Sequence, residues 1–209
     1  MAARHRANPL ALAVLACLLE RPMHPYEIST TLRTRGKHES IKLNYGSLYT
    51  VVDGLARREL ITATETERAG RRPERTVYAL TDAGRRELSD WLAELLREPA
   101  KEFTQFEAAL SLMACLPPDD VAPLLTERAD QIEYELVQGD AIHDLAVKQG
   151  VPRLFLIEYE YRRALRVAEL EWVRELAGEI AAGVMPGVAQ WRAFHDGADP
   201  FAEVPTEPR

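Results

Sequence analysis

The sequence predicts a mainly α-helical chain: three helices closed by a two-stranded hairpin at the N-terminal end, then a C-terminal half built of helices alone. Three observations carry that expectation. Apolar residues recur at offsets of three and four along most of the 209 residues. Between Ile61 and Leu80 the period falls to two, as a strand requires. The balance of charge also changes sign: residues 1–100 hold 16 Lys+Arg against 13 Asp+Glu, and residues 101–209 hold 10 against 20. A basic module joined to an acidic one fits that division, and so do two solvated faces of opposite charge.

Pro9 suits a first helical turn and Asn8 its cap; Leu10, Val14, Leu15, Leu18 and Leu19 then mark a first helix. The stretch RPMHPYEI breaks it, because Pro22 and Pro25 lack amide protons and Pro25 holds His24 extended. Pro25 opens a second helix through Tyr26, Ile28 and Leu32, which stops near Gly36, a residue at ease in the left-handed conformation. After the linker KHESIKL, Asn44 caps a third helix with Leu48, Val51, Val52 and Leu55 on its inner face. Ile61, Ala63 and the polar run to Arg68, joined through AGRRP to the alternating stretch from Thr76 to Leu80, form the hairpin. Thr81 caps a fourth helix, in which Leu88, Trp91, Leu92 and Leu95 share a face.

Further helices are expected over FTQFEAALSLMAC, from Pro117 through Leu136, and from Leu154 to Leu176, the last about 35 Å long at 1.5 Å per residue. A helix of that length with one apolar face calls for a partner. The tail GADPFAEVPTEPR carries three prolines and several acids without periodicity and is predicted to be disordered. The expected division is residues 1–82, 83–196 and a tail of 197–209.

Helix, helix, helix, hairpin is the order of a winged helix-turn-helix. Its third helix turns Gly46, Thr50, Asp53, Gly54 and Arg57 outward, with Ser47 and Tyr49 on the flanks. A glycine costs about 1 kcal/mol against alanine in a helix interior, so two of them on one exposed face suggest close approach to another surface. Arg71 and Arg72 lie at the hairpin tip with Arg68 and Arg75 at its base, where clustered guanidinium groups suit phosphate or a merely soluble turn. Tyr49 is equally readable as a packed ring, and Arg57 and Arg58 as cover for a solvated helix end.

HPYEI (His24 to Ile28), GSLYTVVDGLARRELI (Gly46 to Ile61) and GRRPERTVYALTDAGR (Gly70 to Arg85), in that order and spacing, resemble the PadR family of bacterial transcriptional regulators. The aromatic, acidic helix from Phe155 to Leu176 resembles the longer members, which carry a helical C-terminal domain. Pro25 departs from the pattern, since glycine is commoner before the Tyr-Glu pair, yet proline suits a helix start. The resemblance implies a homodimer that binds double-stranded DNA at an inverted-repeat operator, usually as a repressor, and lets go on a signal such as a small aromatic effector. It places the third helix in the major groove and the wing on the neighbouring backbone or minor groove. The candidate DNA-binding residues are then Tyr26, Asn44, Tyr45, Gly46, Ser47, Tyr49, Thr50, Arg57, Arg71, Arg72 and Arg75, with Ser47, Tyr49 and Thr50 donating to phosphates or base edges. Leu165, Ala168, Trp172 and Leu176 are candidates for a dimer seam, and intrachain core is the other reading of Leu165 and Trp172. Trp91 and Trp172 are candidates for an effector pocket, against the simpler reading that each tryptophan packs a core.

Other classes fit less well. Around Ser47 there is no GxSxG, and the chain has no Walker or dinucleotide glycine loop, no HExxH and no Cys/His cluster, so no enzyme and no cofactor is expected. His143 and Asp140 stand three residues apart, but two residues make no metal site. Cys17 and Cys115 lie in apolar helical patterns and read as small buried hydrophobes. No run of eighteen apolar residues occurs, and the stretch Leu10 to Leu19 is bounded by Glu20 and Arg21, so the expectation is a cytoplasmic protein without a membrane span. The remaining rival is a winged helix that contacts only protein; Asp53 on the outer face favours it and the arginine-rich wing does not.

Overall fold

The structure is a computed structural model and describes residues 8–67 and 75–197. The chain divides into two compact units, Met1–Lys101 and Glu102–Arg209. This moves the expected boundary from 82/83 to 101/102. The cause is the fourth helix: its Leu88 and Trp91 are buried in the core of the first unit, to which the helix therefore belongs.

In the first unit, α1 (Pro9–Glu20), α2 (Pro25–Thr34) and α3 (Tyr45–Arg57) precede strands β1 (Ile61–Glu67) and β2 (Arg75–Leu80), and α4 (Asp82–Arg97) follows. The Asn8 side chain accepts from the Leu10 amide, as a cap should, and Gly36 takes a φ of 68° just past α2. Helix α1 is buried over most of its surface, because α2, α3, α4 and the hairpin all gather around Val14, Leu15 and Leu18. The hairpin is antiparallel, with Ile61 opposite Leu80 and Ala63 opposite Tyr78, and an irregularity between Ala63 and Glu65 shifts the register. Met23, in the turn after α1, exchanges two backbone hydrogen bonds with Tyr78, which ties the start of the module to the wing. On α4 the expected apolar face splits: Leu88 and Trp91 point inward, whereas Leu92 and Leu95 are exposed.

The second unit contains α5 (Gln105–Leu112), α6 (Pro118–Lys148), α7 (Ile157–Ala182) and α8 (Val188–His195). Leu154 falls outside α7, in a short 3-10 turn at Arg153–Phe155. Helices α6 and α7 pack antiparallel around Val121, Leu125, Ala129, Ile132, Val173, Ala177 and Ile180. Toward the end of α6 the contact becomes polar. Gly139 lets the Tyr159 ring lie against α6, since a Cβ there would stand 2.6 Å from the ring; the Tyr159 hydroxyl donates to Asp140 at 2.6 Å, and Arg163 donates to the same carboxylate at 2.7 Å. His143 stacks on Tyr159. Helix α8 closes the unit, with the Trp191 indole N–H donating to the Leu116 carbonyl at 2.8 Å. Cys17 is buried as expected, and burial pushes its thiol up to about 11. Cys115 is exposed, because it ends a 3-10 turn after α5 and does not sit in a packed helix face.

Candidate nucleic-acid interface

Helix α3 is anchored on one side and open on the other. Leu48, Val52 and Leu55 are buried in the core, whereas Gly46, Ser47, Tyr49, Thr50, Asp53 and Arg57 face solvent. The Asn44 side chain accepts from the Gly46 amide at 3.0 Å, so its carboxamide oxygen serves the cap and its amide group remains a donor. Neither helical glycine has an internal reason to be glycine: a Cβ at Gly46 would meet only the Asn44 side chain at 3.6 Å, and one at Gly54 would meet nothing within 4 Å.

Two candidate contacts are more constrained than their residue types suggest. The Thr50 hydroxyl donates to the Gly46 carbonyl at 3.1 Å, so toward a base edge it offers its lone pairs and methyl group, not the expected donated hydrogen. Arg57 donates through Nε to the main-chain oxygen of Asp53 at 3.3 Å. Tyr49 is 46% exposed and Tyr26, in the first turn of α2, is 53% exposed, which makes both rings accessible. Arg58 is the exception on the helix end, turned toward α4 to pair with Glu87 at 3.1 Å. Arg71 and Arg72 lie outside the described residues, as do Arg68 and the tail from 198, and only the backbone of Tyr45 and Arg75 is described.

Two residues that hold this surface in place carried no functional signal in the sequence. Glu59 adopts the left-handed conformation at φ 58°, with its amide bonded to Ala56 and that of Leu60 bonded to Leu55, a Schellman stop made without glycine. Thr81, recognisable as a cap, does more than cap. Its hydroxyl donates to the Glu59 carbonyl at 2.8 Å, with the Leu60 carbonyl at 3.0 Å, while accepting from the Gly84 amide at 3.0 Å. The end of α3 and the start of α4 thus meet at one side chain. Gly84 permits the contact, since a Cβ there would stand 2.0 Å from the Leu60 oxygen.

The seam candidates fall into two groups. Leu165, Ala168 and Trp172, with Tyr161, form an exposed stripe along α7. Leu176 does not join it, because it is half-buried against the core of the second unit. The two tryptophans proposed for an effector differ as well: Trp172 is 46% exposed, whereas Trp91 is 1% exposed in the core of the first unit and has no surface to offer a ligand. Among the described residues no group of His, Cys, Asp and Glu is arranged to hold a metal ion, and no helix is long and apolar enough to cross a membrane.

No curated protein matches the chain in sequence. Among solved structures, PadR of Bacillus subtilis in complex with operator DNA is 19% identical, with a TM-score of 0.65 over 82% of this chain and 97% of that one. The same protein in complex with p-coumaric acid is 17% identical, with a TM-score of 0.65 over 82% and 98%. The Vibrio cholerae virulence activator AphA is 19% identical, with a TM-score of 0.63 over 83% and 99%. Residues 14–90 match the sequence profile of the transcriptional regulator PadR-like family. The match begins within α1 and ends within α4, so it takes in the whole module that carries α3 and the hairpin. Over this module the chain is similar to the transcriptional regulator PadR-like family, and with its helical second unit it has the fold of the solved PadR structures.

Proposed function

We propose that this chain is a sequence-specific DNA-binding transcriptional regulator, a repressor that binds an inverted-repeat operator as a homodimer and is released by a small aromatic effector. The observation that carries the reading is the outer face of α3, where Gly46 and Gly54 are required neither by backbone conformation nor by packing. Small residues there let the helix backbone approach a groove floor, where Ser47, Tyr49 and Thr50 meet phosphates or base edges and Tyr26, Asn44 and Arg57 add further contacts; the exposure of Tyr26 and Tyr49 supports this reading. Arg71, Arg72 and Arg75 supply the wing with charge. Leu165, Ala168 and Trp172 form the dimer seam, which the two-fold symmetry of an inverted repeat requires. Support for DNA and for an aromatic effector also comes from the solved complexes of the Bacillus subtilis protein with operator DNA and with p-coumaric acid.

The test is selection from random duplexes by the purified chain at about 0.15 M salt, where nonspecific electrostatic retention is weakened. Enrichment of an inverted repeat with half-sites about one helical turn apart is the expected outcome. Salt-sensitive retention without any enriched sequence would overturn the sequence-specific reading.

A further inference from the structure

Helix α3 carries one acid, Asp53, and nothing within the fold accounts for it. The residue is exposed on the outer face, at the ninth of the thirteen helical positions, too far from the N-terminus to gain from the helix dipole. Arg57 stands four residues on, the spacing at which a carboxylate and a guanidinium pair across one turn. Arg57 donates instead through Nε to the main-chain oxygen of Asp53 at 3.3 Å, and among the described residues no cation pairs with the carboxylate. Tyr78 on β2 registers the charge: burial first, and Asp53 second, push its hydroxyl above its ordinary value. A phenol that keeps its proton leaves the carboxylate uncompensated.

A surface that approaches DNA has its own reason to exclude an acid, because every phosphate repels it. The repulsion is offset where a base edge donates a hydrogen to the carboxylate. In the major groove two groups can, the N4 amino group of cytosine and the N6 amino group of adenine. The adenine amino group is flanked by acceptors on both sides, N7 of its own ring and O4 of the paired thymine, and these repel the second carboxylate oxygen. The cytosine amino group has an acceptor, guanine O6, on one side only. Around Asp53 there is room for such an edge: a Cβ at Gly54 would meet nothing within 4 Å, and one turn earlier the Thr50 hydroxyl is turned back to the Gly46 carbonyl.

We propose that Asp53 determines the base at one position of each operator half-site by accepting from the N4 amino group of a cytosine. Thymine or guanine at that position sets the carboxylate against an acceptor and is rejected, and adenine is disfavoured by its N7. The acid is thus a device of discrimination, at a cost in general affinity for DNA. The inference rests on the DNA-binding reading above and gives it one base pair.

The experiment is duplex selection with the full chain and with Asp53→Asn in parallel. The wild-type repeat should carry cytosine at one position of each half-site. The variant should exchange it for adenine, since a carboxamide pairs with adenine N6 and N7, and should leave the remaining positions unchanged. Replacing that cytosine by thymine in the selected operator should weaken the wild-type chain about fivefold or more, while the variant is indifferent to the change. Asp53→Ala, a better helix former, should lose the preference at the same position and gain none, which decides the matter if the asparagine variant does not fold. A wild-type repeat whose every position survives these substitutions overturns the proposal and leaves the DNA reading standing. So does tighter binding of all sequences alike, the mark of a carboxylate that only repels phosphate. A wild-type chain that enriches no sequence overturns the sequence-specific reading, and the proposal with it.

Discussion

Gly54 and Gly84 are both helical, both within the first unit, and answer to different demands. At Gly84 an added methyl group would collide with the main chain of Leu60, which cannot move without dragging the end of α3. At Gly54 it would enter open space. The two alanine substitutions should therefore have opposite signs. Gly84→Ala should destabilise the unit by about 2 kcal/mol or more through overpacking against backbone. Gly54→Ala should stabilise it by about 0.5–1 kcal/mol through helix propensity, while weakening binding to the selected operator. Urea unfolding followed by circular dichroism, with operator titrations in parallel, reads both effects. A Gly54→Ala variant that gains stability and binds DNA as well as wild type would remove the close-approach argument from α3.

At the scale of the element, what could be read from the sequence was whatever a few neighbouring residues decide. Asn8, Asn44 and Thr81 each cap a helix, because capping joins a side chain to an amide two or three residues on. The inner and outer faces of α3 followed from its period alone. What escaped depends on partners distant in sequence. Nothing local says that Trp91 turns toward α1 while Leu92 beside it stays in water, and the unit boundary was misplaced for that reason. The stop at Glu59 was silent because no glycine marks it. The polar end of the α6 and α7 pair escaped too, although Asp140 and His143 drew notice as a metal pattern; Asp140 is instead engaged by Arg163 and Tyr159.

That pairing has a pH signature. Hydrogen bonds from the Arg163 guanidinium first, and from the Tyr159 hydroxyl second, hold the Asp140 carboxyl below its ordinary value. A carboxyl lowered in the folded state contributes stability that is fully present above its unfolded value, near 4 by ordinary standards, and is lost as pH falls through the lower folded value. Asp140→Asn should therefore lower the urea midpoint of the second unit at neutral pH, with the difference from wild type shrinking as pH falls below the ordinary carboxylate value. A difference that stays constant across that range would mean that the carboxylate charge is not what the pairing uses.

For the whole molecule, the open quantity is how many chains act together. The exposed stripe of Tyr161, Leu165, Ala168 and Trp172 runs along a helix about 40 Å long, with Leu165 54% exposed in the single chain. Leu165→Glu should convert a dimer to a monomer of unchanged helicity at micromolar concentration, because a charge placed in an apolar seam is costly to bury. Sedimentation equilibrium checks this, and a wild-type chain that already runs as a monomer would exclude the seam. One further consequence follows from Thr81. A single residue separates the last residue of β2 from the first of α4, and its hydroxyl is spent on both the end of α3 and the first turn of α4. There is no slack at that joint. The end of α3 and the first turn of α4 are therefore held to one another through a single side chain, which fixes the angle at which the exposed face of α3 is presented relative to the start of α4.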